Sequence, residues 1–157
     1  MSASKKHRKK KQPGQKHIPS SQKRPGEGIK GDSYIHLTPV WKFGLIDMDG
    51  EWGWRKITAR QLADVLTKVK NFEKQNWGEI LHATHGRDNK SKHHCVSTER
   101  ICGEAQKRLA ARKWEDLQEL FSLRLSGKTR IWGKLENEVF HFIWFDPEHT
   151  VCPSLKK

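Results

Sequence analysis

Over residues 121–145 the chain carries a rhythm that constrains its fold more than any other feature. Phe121, Leu123 and Leu125 alternate with Ser122, Arg124 and Ser126. Gly127-Lys128 reads as a turn, residues 129–133 as a second strand and Glu136-Asn137 as a second turn. Residues 139–145 form a strongly apolar third strand that Asp146-Pro147 stops. A period of two sends alternate side chains to opposite faces of a strand. Turns this short join neighbours that run antiparallel. The expectation is a three-strand antiparallel meander.

Upstream the period changes. Thr58 with Gln61 three positions on forms a capping box, and Leu62, Val65, Leu66 and Val69 follow at helical spacing. A second short helix is predicted to carry Phe72, Trp77, Ile80 and Leu81. Residues 82–96 read as a polar loop. Ile101, Ala105 and Leu109 mark a third helix, continued for a turn or two by Trp114, Leu117, Leu120 and Phe121. Between Tyr34 and Trp54, aromatic residues flank Asp47-Met48-Asp49-Gly50, which predicts an N-terminal β-hairpin with Trp52 and Trp54 pointing the same way. The fold class is therefore α+β: helices packed on one face of a small antiparallel sheet, in a single domain over residues 33–157.

The net charge is +13, and its distribution is uneven. Residues 1–30 hold ten Lys or Arg and one acid, Glu27, which is +9. Residues 1–32 are poor in large apolar side chains and are expected to be a disordered basic tail. Lys5, Lys6, Arg8, Lys9, Lys10 and Lys11 head it and would contact nucleic acid, because a polycation gains affinity for phosphates by releasing counterions. A solubilising extension or a nuclear address is the plainer account of that run. No apolar run approaches the ~20 residues of a membrane span, and no apolar segment follows the charged start as in a secretory leader. Three cysteines suit a reducing compartment better than a disulfide scaffold. The expectation is a cytoplasmic protein that has no membrane partner.

Residues 123–133, Leu-Arg-Leu-Ser-Gly-Lys-Thr-Arg-Ile-Trp-Gly, precede a turn and then Val-Phe-His-Phe-Ile-Trp-Phe-Asp-Pro-Glu-His over residues 139–149. With the helices before them, these strands resemble the end of RelE/ParE-type bacterial toxins, over about residues 97–152. Phe145 to Ser154 also resembles the ending of an uncharacterised bacterial family. The RelE resemblance implies an endoribonuclease that cleaves mRNA without a metal or other cofactor, often on the ribosome, and an antitoxin that neutralises it. A ParE-like relative would instead inhibit a protein target, DNA gyrase.

Such cleavage needs a base for the 2′-hydroxyl, cations for the phosphorane charge and an acid for the leaving oxygen. Strand alternation puts Arg124 on the face opposite Phe121, Leu123 and Leu125, and puts His141 opposite Phe140, Phe142 and Trp144. Arg124 and Arg130 are the expected phosphate clamps, and Lys128 a weaker phosphate contact. His149, where the resemblance places a catalytic side chain in some relatives, is the expected acid or base, with His141 second. The plainer account makes the arginines solvated surface charges, His141 a half-buried strand residue, and Trp132 and Trp144 core. A further set, His82, His85, His93 and Cys95, holds zinc-ligand types, but its spacing matches no zinc finger, so no metal is expected. His93 and His94 would serve the RNA site if their segment lay over the sheet. Three functions thus compete: an RNA-cleaving toxin, a non-catalytic nucleic-acid- or ribosome-binding protein, and an inhibitor of a protein target.

Overall fold

The structure, a computed structural model, describes residues 32–154. The tail assigned to residues 1–32, with Lys5, Lys6, Arg8, Lys9, Lys10 and Lys11, lies outside the described residues apart from Asp32. In chain order the elements are β1 (Val40–Lys42), α1 (Ala59–Phe72), α2 (Trp77–His82), β2 (Thr84–His85), β3 (Lys90–Ser91), β4 (His94–Ser97), α3 (Gly103–Ala111), β5 (Glu119–Ser126), β6 (Thr129–Glu136) and β7 (Val139–Asp146). The class is α+β, and β5, β6 and β7 form the expected antiparallel meander.

Two capping boxes set the helix starts. Thr58 accepts from the Gln61 N–H, while the Gln61 side chain accepts from the Thr58 N–H. Asn76 and Glu79 repeat the arrangement for α2. Phe72 therefore closes α1 instead of opening α2. The helix expected through Leu120 and Phe121 ends earlier, at Ala111, and both residues belong to β5. The segment read as a loop over 82–96 holds the β2–β3 ribbon and β4, which pairs antiparallel with β5.

The sheet runs β1-β7-β6-β5-β4, with β1 parallel to β7 and the other pairs antiparallel. The helices do not share one face, as the sequence suggested. Val65, Val69, Trp77 and Ile80 from α1 and α2 pack against Phe121, Leu123, Ile131, Phe140 and Phe142. On the opposite face Ala105 and Leu109 of α3 meet Leu120, Trp132, Ile143 and Trp144.

The cause is a β-bulge in β7. Trp132 pairs with Trp144, but the next residue, Gly133, pairs with Phe142, so Ile143 is an extra residue. A bulge reverses which face the following side chains take. Trp144 therefore sits in the α3-side core and not beside Phe140 and Phe142, as alternation had predicted. Both faces are rich in large apolar side chains, so both must be covered. Gly133 is the residue that permits this, since a Cβ there would collide with the His141 carbonyl and lie 2.5 Å from the Phe140 ring.

The predicted N-terminal hairpin does not form. Only β1 is a strand, and Trp54–Lys56 is a 3-10 turn. The Trp52 carbonyl accepts from Phe145, while the Trp54 N–H donates to the Asp47 carbonyl. Trp52 enters the α3-side core and Trp54 the α1-side core, so the two do not point the same way. Gly53 between them has its would-be Cβ 2.5 Å from the Asp49 backbone, a tightness that no other residue tolerates. Asp47, fully buried, fixes this segment: Arg108 donates to its two oxygens at 2.7 and 2.6 Å, and Trp144 Nε1 donates at 3.0 Å. Burial raises the Asp47 pKa, yet those donors hold it below the usual carboxylate value.

Candidate functional site

Three neighbouring strands place a charged row on the α3-side face, at the end of the sheet nearest the Gly127 turn. Arg124 of β5 is the register partner of Arg130 on β6, and Arg130 is the partner of Asp146 on β7. Directly opposed cross-strand residues lie ~4.5–5.5 Å apart at their Cβ atoms. Two guanidiniums so placed repel, and that repulsion needs an anion to offset it. Asp146 supplies part of it. Its carboxylate is fully buried and accepts from Trp132 Nε1 at 3.1 Å, the Thr150 N–H at 2.9 Å, the Thr150 hydroxyl at 3.3 Å and the Val151 N–H at 3.0 Å.

Those bonds shape the loop that follows β7. They hold residues 146–151 as a tight turn in which His149 takes a left-handed backbone, φ 61°. His149 is thereby brought within electrostatic reach of Arg130, Asp146, Arg124 and His94. Burial, then the charge of Arg130, lowers its pKa from the usual histidine value, so the imidazole is neutral at pH 7. Lys128, at the β5–β6 turn, sits 3.7 Å from Glu148 in the same loop. Arg130 is 8% exposed and donates to the carbonyls of Gly127 and Thr129. Its burial and the neighbouring Arg124 pull its pKa down to about 10, still far above neutrality, so it remains a cation.

The fourth flank comes from β4. His94 stands across from Ser122, and its pKa is lowered by burial and by Arg130. His93, 2% exposed, accepts the Arg124 backbone N–H at Nδ1, 3.1 Å. An acceptor nitrogen carries no proton, so His93 is the neutral Nε2–H tautomer. Burial and the charges of Lys92, Arg130 and Arg124 push its pKa down to about 4.

Of the expected site residues, the structure brings together Arg124, Arg130 and His149, with Lys128 at the rim. It does not bring His141 to them. His141 faces the same side but pairs in register with Lys134 and Lys42, and its Nε2 lies 3.0 Å from Glu136. It is five residues along β7 from Asp146, roughly 15 Å at strand rise. The zinc-type set is likewise dispersed. His82 Nδ1 bonds the Gly78 carbonyl, His85 Nδ1 bonds the Lys90 carbonyl, His93 is committed to Arg124 and Cys95 is exposed. Among the described residues no group of three or more His, Cys, Asp or Glu side chains is placed to hold a metal ion.

Two contributors stand outside the set of expected catalytic residues. Asp146, which the sequence offers as a strand stop and as a turn aspartate capping backbone donors, does cap the Thr150 and Val151 N–H groups and so shapes the His149 loop. His94 was conditional on its segment lying over the sheet, and pairing of β4 with β5 is what delivers it. No helix among the described residues is long and apolar enough to cross a membrane. No protein-family model, curated protein or solved structure matches this chain.

Proposed function

We propose that the protein binds RNA across the Arg124–Arg130 row and cleaves it by metal-independent transfer to the 2′-hydroxyl, in the manner of a RelE-like toxin. The observation that carries this is the convergence of two guanidiniums and the imidazoles of His94 and His149 at one end of the sheet, where the buried carboxylate of Asp146 is already saturated with donors. A phosphodiester is the polyanion that such a set fits.

Arg124 and Arg130 would take the charge that develops on the phosphorane oxygens. His149, neutral at pH 7, is equipped to accept the 2′-hydroxyl proton. A bound phosphate raises the pKa of a neighbouring imidazole, so His94 gains the proton that it would return to the leaving oxygen. The net charge and the basic residues of the first thirty positions add attraction for the same partner. The two sheet edges, β1 and β4, are where an antitoxin or a ribosomal protein would add a strand.

Incubating a defined mRNA with the purified chain, with and without ribosomes, tests this. Shortened products that disappear in His149→Ala and fall sharply in Arg124→Ala, with circular dichroism unchanged, are expected. Intact RNA that still binds with a steep salt dependence would replace cleavage by simple binding. Absence of binding, with gyrase inhibited instead, would replace RNA by a protein target.

A further inference from the structure

On the other face of the same sheet end, α1 stands over the β5–β6 turn and leaves a half-open cavity of about 180 Å³. Its floor is apolar: Val65, Leu125 and Phe145, each nearly buried. Asp64 and Lys68, one turn apart on α1, line its wall. Both are exposed, and among the described residues neither side chain is hydrogen-bonded or ion-paired. Sites for drug-sized ligands measure ~300–1,000 Å³. This one has room for a single planar ring system with an apolar face to rest on.

Its position ties it to the cationic row. Leu125 follows Arg124, Thr129 precedes Arg130 and Phe145 precedes Asp146, so three lining residues are chain neighbours of the row. Alternation sends the two sets to opposite sides of the sheet. A single strand that lays a phosphate on Arg124 and Arg130 and passes over the Gly127–Lys128 turn delivers a neighbouring base to this cavity.

The wall chemistry selects among bases. A carboxylate offers two adjacent acceptors and an ammonium only donors. Guanine alone presents two adjacent donors, N1–H and the N2 amino group, next to an acceptor, O6. Adenine and cytosine each pair one amino group with a ring acceptor, and uracil flanks one donor with two acceptors. We infer that the cavity between α1 and the β5–β6 turn is a guanine subsite, with Asp64 accepting from N1–H and N2–H, Lys68 donating to O6, and the ring on Val65, Leu125 and Phe145. This rests on the RNA reading of the row, and it names the base that lies beside the gripped phosphate.

Amide NMR of the full chain tests it with separate probes. Guanosine, which lacks a phosphate, is expected to shift Val65, Leu125 and Thr129, and to bind roughly tenfold or more tightly than adenosine, cytidine or uridine. Asp64→Asn, on the exposed face of α1, is expected to abolish that preference while leaving the protein folded. Inorganic phosphate reports on the row, through Arg124 and His149, and its binding is expected to be unchanged in Asp64→Asn. Phosphate binding without a guanosine preference would overturn the subsite and leave the row standing. Guanosine binding without phosphate binding would overturn the RNA reading, and with it the subsite's place beside a gripped phosphate. A guanosine preference that survives in Asp64→Asn would overturn the role of that carboxylate.

Discussion

The backbone N–H of Arg124 donates to Nδ1 of His93, 3.1 Å away inside the protein, so a buried imidazole fixes the strand that presents a candidate phosphate clamp. The rings of His93 and Phe72 also meet nearly at right angles, at 5.3 Å between centroids. The end of α1, β4 and β5 thus share one neutral histidine.

Protonating that histidine is costly. Its folded pKa, about 4, lies below the unfolded 6.5, so between those values the unfolded chain binds more protons. The contribution is fully present above pH 6.5 and is lost as pH falls towards 4. Its size is on the order of 3 kcal/mol. Urea midpoints measured from pH 7.5 to 4.5 should fall, and the slope should flatten in His93→Gln. An equal slope in both proteins would remove His93 as its source.

Asp47 and Arg108 form a second coupling, with Trp144 as third partner. Asp47→Ala leaves a guanidinium and a buried indole N–H unpaired, and should cost ~3–5 kcal/mol. Arg108→Lys keeps the charge and loses the two-pronged geometry, so its denaturation midpoint should fall between the two.

The Gly133 site should reject any side chain. Gly133→Ala drives a methyl into the His141 carbonyl and should cost ~1–3 kcal/mol. Gly103 opens α3 with nothing within 4 Å of its would-be Cβ. Gly103→Ala should be neutral or gain up to about 1 kcal/mol. Thermal melts of the two variants give the comparison.

His141 and His149 should separate in function. His141→Ala removes a contact with Glu136 at the far end of β7, and should leave RNA cleavage within about twofold of the parent. His149→Ala should abolish it. Equal losses in both would show that the catalytic centre extends along the strand.

The meander was legible because turns and a period of two leave few alternatives over 121–145. The caps of α1 were legible because Thr58 and Gln61 act within four residues. What the sequence hid was long-range. Nothing in Val40-Trp41-Lys42 announces a parallel partner 99 residues on, at Val139. The bulge at Ile143 is set by the pairing of Gly133, not by anything local to β7. That bulge also explains why helices were expected on one face only, since strict alternation hides the second apolar layer. Arg124 and Arg130 could be paired from the meander alone, whereas His149 came from the resemblance and His94 required knowing that β4 joins the edge.

Asp146 reaches forward to Thr150 and Val151 and sideways to Trp132, so the loop bearing His149 is templated by the interior and owes little to the side chains at its own tip. Pro147 and Glu148 should accordingly tolerate wide mutational drift, while Asp146, whose oxygens are already taken by donors of the protein, should behave under selection as strictly as a reactive group. A saturation library would register it as essential, for reasons of architecture.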